Sequence, residues 1–365
     1  MLSDEWFVRV QGKEYGPVDL ETLREWQADG RVVPQNELRR ADETDWILAG
    51  AVAELYPPPP LPTIDARYLA PRTFAQILLD TFRLYARGFP QLFGLSLLVA
   101  LPSLGFQLCM LFVDTTAAPA LNPTSRFAAG GVVLFFLVLV AVWPLYLTGI
   151  QLAVADLAAS RVIRFGNLLR RARERWRPMA RLCLFVYGSF LFWTALPLIA
   201  VGLVAASPSV LSFLLAVGAL TFQVYMAGRL FVNFLFWQQT AVIAGEEGVE
   251  ALRSSQELAR SGRDRPWLER PLYRGAILAS LWLLVLIVVA VGLEFPVVLW
   301  RLHGATDLNS AVTLMDTLIK NPPIDGLNLA SYLASSLANA LLHPLLGIAF
   351  VLLYFDARAR NSRDN

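Results

Sequence analysis

Hydrophobic and polar residues are distributed very unevenly along this chain. Up to residue 56 they alternate over short distances, whereas from about residue 89 onward the apolar residues form long runs that contain few charges. An apolar run of about 20 residues is long enough to cross a bilayer as a helix. The pattern therefore predicts six membrane spans, at about residues 89–113, 127–156, 182–206, 210–230, 276–300 and 332–355.

Amphipathic segments precede these spans. Patterns that begin at Phe74, Phe165 and Val249 place apolar residues on one helical face, which is typical of a helix lying at the membrane interface. A fourth pattern begins at Leu308, and the apolar run beyond residue 230 is expected to continue as an interfacial helix toward Ala244. Because the first three patterns each precede a pair of spans, they favour three repeated hairpins. The predicted apolar face of the first helix is Phe74, Ile77, Leu78, Phe82 and Tyr85, and that of the second is Phe165, Leu168, Leu169, Ala172 and Trp176.

The first 56 residues predict a small α+β domain. Residues 6–10 (WFVRV) have the composition of a strand, and residues 13–16 are expected to turn. Asp19 can cap a helix over residues 20–29 that Gly30 ends. Two further short elements are expected at residues 37–40 and 45–48. A domain of this size is near the lower limit for independent folding.

This segment resembles the bacterial variant of the GYF domain. The resemblance rests on Gly16-Pro17-Val18, Leu23, Trp26 and Gly30-Arg31-Val32, which match the spacing of Gly-Pro-Phe, Met, Trp and Gly-Tyr-Phe in the eukaryotic pattern. It implies that aromatic rings bind proline-rich peptides in a polyproline II conformation. The alternative is that the rings only build the core, which is the favoured interpretation for Trp46. The predicted peptide-binding residues are Trp6, Tyr15, Val18, Leu23 and Trp26.

A proline-rich linker, residues 57–72, follows this domain. The sequence YPPPPLP at Tyr56–Pro62 predicts a stiff polyproline II segment. It is interpreted as a spacer, or alternatively as a ligand for the adjacent domain, because tethering raises its effective concentration.

Composition and charge placement support a membrane protein. Charged residues make up 16% of the chain, hydrophobic residues 56%, and mean hydropathy is +0.51. The net charge of +2 argues against nucleic acid as a partner. The segments preceding spans 1, 3 and 5, together with the tail, contain 21 Lys and Arg residues, whereas the alternate loops contain 3. The positive-inside rule then predicts both termini in the cytoplasm, in a bacterial inner membrane. Within the arginine-rich segment 161–181, the predicted contacts with anionic lipid headgroups are Arg170, Arg171, Arg173 and Arg175.

The expected fold class is therefore an α-helical integral membrane protein with six transmembrane helices in three hairpins, interfacial amphipathic helices and a small cytoplasmic α+β domain. The helical domain is expected at residues 73–357, followed by a tail at 358–365. It also resembles the membrane domain fused to bacterial glycerophosphodiester phosphodiesterases, on the segments Ala241–Gly262 and Leu352–Arg360. The phosphodiesterase domain itself is not found in the sequence, so the resemblance implies no such activity.

Candidate chemistry is sparse. No catalytic constellation, metal-ligand spacing or cofactor motif stands out, and the two cysteines lie within apolar runs. Polar residues inside spans are candidates for function, and those singled out are Arg229, Asn233, Asn339 and His343. The favoured interpretations are that the Arg229 side chain reaches the cytoplasmic interface at the end of span four, and that Asn339 and His343, with Ser336, form a polar seam between helices. The favoured function is a membrane adaptor or scaffold whose cytoplasmic domain binds proline-rich segments. The alternatives are a small-solute transporter or channel, which would bring these polar residues into a shared cavity, and a lipid-acting enzyme.

Overall fold

Two compact units, Met1–Thr63 and Ile64–Asn365, divide the chain. The structure is a computed structural model that describes residues 5–10, 13–33, 35–42, 45–52, 55, 68, 70–113, 123–205, 209–303, 307–320 and 323–364. The proline-rich segment Tyr56–Pro62 lies outside these residues.

The N-terminal unit is a four-stranded antiparallel sheet with one helix. The strands are β1 (Glu5–Val10), β2 (Lys13–Asp19), β3 (Glu37–Arg40) and β4 (Ile47–Leu48), in the order β2-β1-β3-β4, and the helix is α1 (Leu20–Ala28). The strand at residues 6–10 and the element at residues 37–40 are confirmed. The turn predicted at residues 13–16 is wrong, because these residues pair with β1 through Val8–Tyr15 and Arg9–Glu14.

Buried and less buried side chains alternate along β1, and the buried ones contribute to the core of this unit. Trp6 and Val8 of β1 are buried on the face that α1 covers, together with Leu23 of α1. The N-cap prediction for α1 is confirmed, since the Asp19 carboxylate accepts a hydrogen bond from the Thr22 amide at 2.9 Å. Hydrogen bonds from the Thr22 hydroxyl and amide hold the pKa of Asp19 below its usual range. This contribution to stability is therefore present near neutral pH and is lost as the pH falls through the lowered pKa.

The second unit is helical. Its helices are α2 (Phe74–Arg87), α3 (Phe89–Met110), α4 (Pro123–Ala158), α5 (Phe165–Glu174), α6 (Trp176–Ala205), α7 (Val210–Asn233), α8 (Trp237–Gln239), α9 (Gly248–Ala259), α10 (Pro271–Leu302), α11 (Leu308–Lys320) and α12 (Gly326–Asp364). Among the described residues, six segments are long and apolar enough to cross a membrane: α3, α4, α6, α10, α12 and the stretch Val210–Ala244 that contains α7 and α8. Each corresponds to one predicted span. Helix α3 packs against α4, α6 against α7, and α10 against α12, while α12 also packs against α3.

The amphipathic helices are present, with two differences from the prediction. The face of α2 that is buried contains Ile77, Thr81 and Leu84, whereas Phe82 is 59% exposed, because α2 packs against α12 along the stripe beside Phe82. The stretch after α7 is not a surface helix. It breaks at Phe234 and continues through α8 and a π-helical turn (Thr240–Ala244), where Trp237 and Thr240 are buried.

A dense network of ion pairs lies at one end of the helical unit. We call it the Asp356 network. The Asp356 carboxylate is 2% exposed and accepts hydrogen bonds from the Arg72 amide at 2.6 Å, Arg274 Nη1 at 2.7 Å and Arg360 Nε at 3.0 Å. Arg360 also contacts Glu269 at 3.1 Å. The network joins the residues before α2 to the start of α10 and the end of α12. Residues 68 and 70–72, predicted as the end of the linker, thus belong to the helical unit, where Tyr68 is also buried.

Candidate functional site

The five residues predicted to bind peptide differ sharply in exposure. Leu23 is fully buried and Trp6 is only 6% exposed, so both are core residues and offer no contact surface for a peptide. Val18 and Trp26 are half-buried and pack against the same core. Tyr15, on β2, is 48% exposed. Among these five residues, Tyr15 therefore presents the most accessible ring.

Arginines lie over the remaining aromatic rings of the unit. On the sheet face opposite the core, the Arg9 guanidinium lies 3.9 Å from the Trp46 ring centroid, and that of Arg39 lies 5.2 Å from Trp46 and 4.9 Å from Phe7. Arg9 also pairs with Glu14 at 2.8 Å and with Glu37 at 3.1 Å, contacts that raise its pKa. We call Phe7, Arg9, Arg39 and Trp46 the arginine–aromatic face.

The sequence pattern does not predict this face, because it favours Trp46 as a core residue. Trp46 is half-buried and lies outside the hydrophobic core of the unit. The signal that could have found the face is the period-two alternation of β1, which places Phe7 and Arg9 opposite Trp6 and Val8.

Helix α1 and the turn after it carry one more arginine–ring contact. The Arg31 guanidinium lies 4.8 Å from the Trp26 ring centroid, directly after the left-handed Gly30 that ends the helix region. Val32 beside it is buried in the core. Arg31 and Val32 occupy the positions where the eukaryotic pattern has Tyr and Phe, so a charged side chain stacks where that pattern has a ring.

Residues 6–55 match the family described as GYF domain 2. This match covers the sheet, α1 and the arginine–aromatic face, and it confirms the resemblance of the N-terminal residues.

No curated protein and no solved structure matches the chain. The resemblance of the helical unit to the membrane domain fused to glycerophosphodiester phosphodiesterases finds no support in these comparisons. The comparisons therefore relate only the N-terminal unit to a known family.

The four arginines predicted to contact lipid fall into two pairs. Arg171 forms an ion pair with Asp156 of α4, and Arg175 Nη1 donates a hydrogen bond to the carbonyl of Val242. These two arginines dock the arginine-rich segment onto the helical unit. Arg170 and Arg173 are exposed on α5 and form no hydrogen bond or ion pair with the described residues. Arg170 and Arg173 are therefore the two of the four whose guanidinium groups have no partner among the described residues.

The intramembrane polar residues do not converge on one site. Arg229 is exposed on α7, and the neighbouring Asn233 side chain accepts a hydrogen bond from Arg260 at 3.4 Å. Asn339 and His343 lie on α12, where His343 Nδ1 donates to the Asn339 carbonyl at 2.8 Å. His343 lines a different cavity from Arg229. The shared cavity that the transporter alternative requires from these residues is therefore not formed among the described residues.

A polar seam between helices is present instead. The Ser336 hydroxyl donates to the Ala100 carbonyl of α3 at 3.3 Å, and the Tyr85 hydroxyl donates to the Leu341 carbonyl at 2.8 Å. Such hydrogen bonds between apolar helices favour close packing. They join α12 to α3 and α2.

Proposed function

We propose that this protein is a multi-pass membrane adaptor whose GYF domain binds proline-rich segments of a partner. The observation that carries the proposal is the GYF domain 2 match over residues 6–55, joined in one chain to six helices long and apolar enough to cross a membrane. The helices would anchor the domain at the membrane, and the positive-inside rule would place it in the cytoplasm.

The exposed ring of Tyr15 supplies the contact surface for this function. A polyproline II helix has flat pyrrolidine faces and loses little entropy on binding, so it suits an exposed aromatic ring. Trp26 contributes the exposed part of its ring, which Arg31 overlies. Leu23 and Trp6 contribute indirectly by holding α1 and β1 in place from the core.

The test uses the full-length protein in lipid nanodiscs and a fluorescent peptide of sequence YPPPPLP. Tyr15→Ala removes the exposed ring, and Tyr15→Phe retains it. We expect Tyr15→Ala to weaken binding by at least tenfold and Tyr15→Phe to leave it within about threefold, because stacking uses the ring face rather than the hydroxyl. Equal affinities for the wild type and both variants would contradict a peptide site at Tyr15.

The same assay distinguishes an external partner from the chain's own linker. If the Pro57–Pro60 segment occupies the GYF domain, deleting these four residues frees the site and strengthens binding of the added peptide, because a tethered ligand competes at millimolar effective concentration. Unchanged affinity after the deletion assigns the segment to a spacer role. Absence of peptide binding in both proteins would overturn the adaptor proposal.

A further inference from the structure

A partly open cavity of about 350 Å³ lies between helices of the helical unit and is lined by residues of α4, α6, α7, α8, α10 and α12. Its volume is at the lower end of the range for small-molecule sites. Nearly half of its lining residues are aromatic, among them Trp143, Tyr187, Trp237 and Trp282. Among the described residues that line it, none is Asp, Glu, Lys or Arg. The cavity is thus aromatic, and its only titratable groups are tyrosine hydroxyls and the imidazole of His343.

Buried polar atoms of this lining lack partners. Gln151 is 1% exposed and Gln239 is 2% exposed, yet the side-chain carbonyl oxygen of each accepts no hydrogen bond from the described residues. The indole N–H of Trp282 is likewise buried with no acceptor among them. Gln151 donates through its amide nitrogen to Gln238 at 3.0 Å. A buried polar group without a partner is costly and rare in native proteins, so each of these three atoms requires an explanation.

We propose that this cavity binds an uncharged small molecule whose polar head carries two hydrogen-bond donors and one acceptor, such as a primary amide, on an apolar body. The two glutamine carbonyls would accept from the amide N–H groups, and the Trp282 N–H would donate to the amide oxygen. The aromatic side chains would pack against the apolar body. This site is separate from the GYF domain and its peptide, and it goes beyond the adaptor function.

None of the described lining residues is Asp, Glu, Lys or Arg, and this favours an uncharged ligand. A carboxylate or an ammonium group placed in a largely apolar cavity needs an opposite charge nearby to offset its desolvation. Arg274 and Arg171 of this unit are engaged elsewhere, in the Asp356 network and with Asp156 respectively. A neutral head has no such requirement. It needs only hydrogen-bond partners, which the two glutamines and Trp282 supply.

The probe for this proposal is 4-azidobenzamide, applied to the full-length protein in nanodiscs and crosslinked by light. Labelled peptides are then identified by mass spectrometry. We expect saturable labelling of the segments around Gln239 and Trp282, which excess benzamide displaces and benzoate and toluene do not. Displacement by oleamide at lower concentration than benzamide would assign the amide to a lipid source, and the reverse order would assign it to a water-soluble source. Labelling that does not saturate, or that toluene or benzoate displaces equally, would overturn the proposal.

Two variants and two matched controls complete the test. Gln239→Leu and Trp282→Phe each remove one polar partner while retaining much of the side-chain volume, and each should weaken displacement by benzamide about fivefold, the effect of one hydrogen bond. Gln223→Leu on α7 and Trp300→Phe on α10 change residues outside the lining of the cavity. Both should leave displacement by benzamide unchanged. Trp282→Phe keeps an aromatic ring in the cavity, so this variant still tests the proposal if Gln239→Leu fails to fold. Equal displacement in Trp282→Phe and Trp300→Phe would contradict the assigned hydrogen bond and with it the site.

Discussion

Gly16 has a backbone conformation that requires glycine. Its φ is +134°, and a Cβ atom at this position would lie 2.6 Å from the carbonyl oxygen of Trp6. Gly16→Ala therefore combines a strained conformation with a collision against the backbone of β1, and we expect it to destabilise the GYF domain by about 3 kcal/mol. Hydrogen exchange over residues 5–52 of the full-length protein measures this effect.

Gly30 supplies the matched control for this substitution. Its φ is also positive, at +72°, but no atom lies within 4 Å of a Cβ placed there. Gly30→Ala should therefore cost only the left-handed strain of about 1 kcal/mol. If both variants lose protection equally, the close approach of Gly16 to β1 does not contribute to stability.

Asp356 is the residue on which the buried ion pairs depend. Asp356→Ala would leave Arg274, whose side chain is 5% exposed, without its carboxylate, and removing one partner of a buried pair costs about 3–5 kcal/mol. We expect a clear fall in the thermal midpoint of the purified protein. The exposed Arg253–Glu257 pair of α9 is the control, because Glu257→Ala should cost less than about 0.5 kcal/mol. Similar midpoints for Asp356→Ala and the wild type would show that the network adds no net stability.

At the scale of the element, α5 has a packed face and a charged face. Its buried face, with Leu168 and Ala172, packs on the helical unit, and Arg171 adds the ion pair with Asp156. The exposed Arg170 and Arg173 are predicted to contact anionic lipid, at about 1 kcal/mol per basic residue. Replacing both with Gln should therefore lower the retention of phosphatidylglycerol, measured by native mass spectrometry, about 25-fold.

The charge of α5, rather than its sequence, should set this lipid retention. Arg170→Lys combined with Arg173→Lys keeps both charges and should retain the lipid. Arg171→Gln should instead loosen α5 from α4, which increases hydrogen exchange in α5. Loss of lipid in the lysine variant would contradict a purely electrostatic contact.

At the scale of the whole molecule, polar contacts between connecting segments are found at both ends of the helical unit. The arginine-rich segment contacts the end of the α7–α8 region through Arg175 and Val242, and the segment before α10 contacts the end of α12 through Arg265 and Arg360. At the other end of α10, Arg301 pairs with Asp325 at 2.7 Å. This arrangement agrees with six crossings that place alternate connections on opposite sides of a membrane.

Single cysteines test this topology in a Cys109→Ser, Cys183→Ser background. Val162→Cys is in a connection where the native side chain is 91% exposed, and Val249→Cys is at a site that is 80% exposed. Both should react with an impermeant maleimide only from the cytoplasmic side, as the positive-inside rule predicts. Asp307→Cys, before α11, should react only from the opposite side. Labelling of all three from one side would contradict the six-span topology.

Local chemistry explains why much of this fold could be predicted. The length of an apolar run and the capping of a helix depend on residues close together in sequence, so the spans and the N-cap at Asp19 follow directly from the pattern. The exposure of Phe82 could not be predicted in this way. An amphipathic pattern defines a broad apolar stripe, and only the position of α12 selects which part of that stripe is buried.

The candidate sites also include features that the sequence predicts and features that depend on the tertiary structure. The GYF motif is a short-range pattern, so the sequence alone determined the small domain, its aromatic residues and its attachment to an apolar helical region. The pairing of Arg274 with Asp356 and the meeting of Gln151, Gln239 and Trp282 in one cavity join residues from distant helices. Charge and amide groups give no sequence signal of their partners, because the partners are selected by helix packing. Only the tertiary structure decided which arginines pair within the helical unit, which remain exposed, and which side chains line the aromatic cavity.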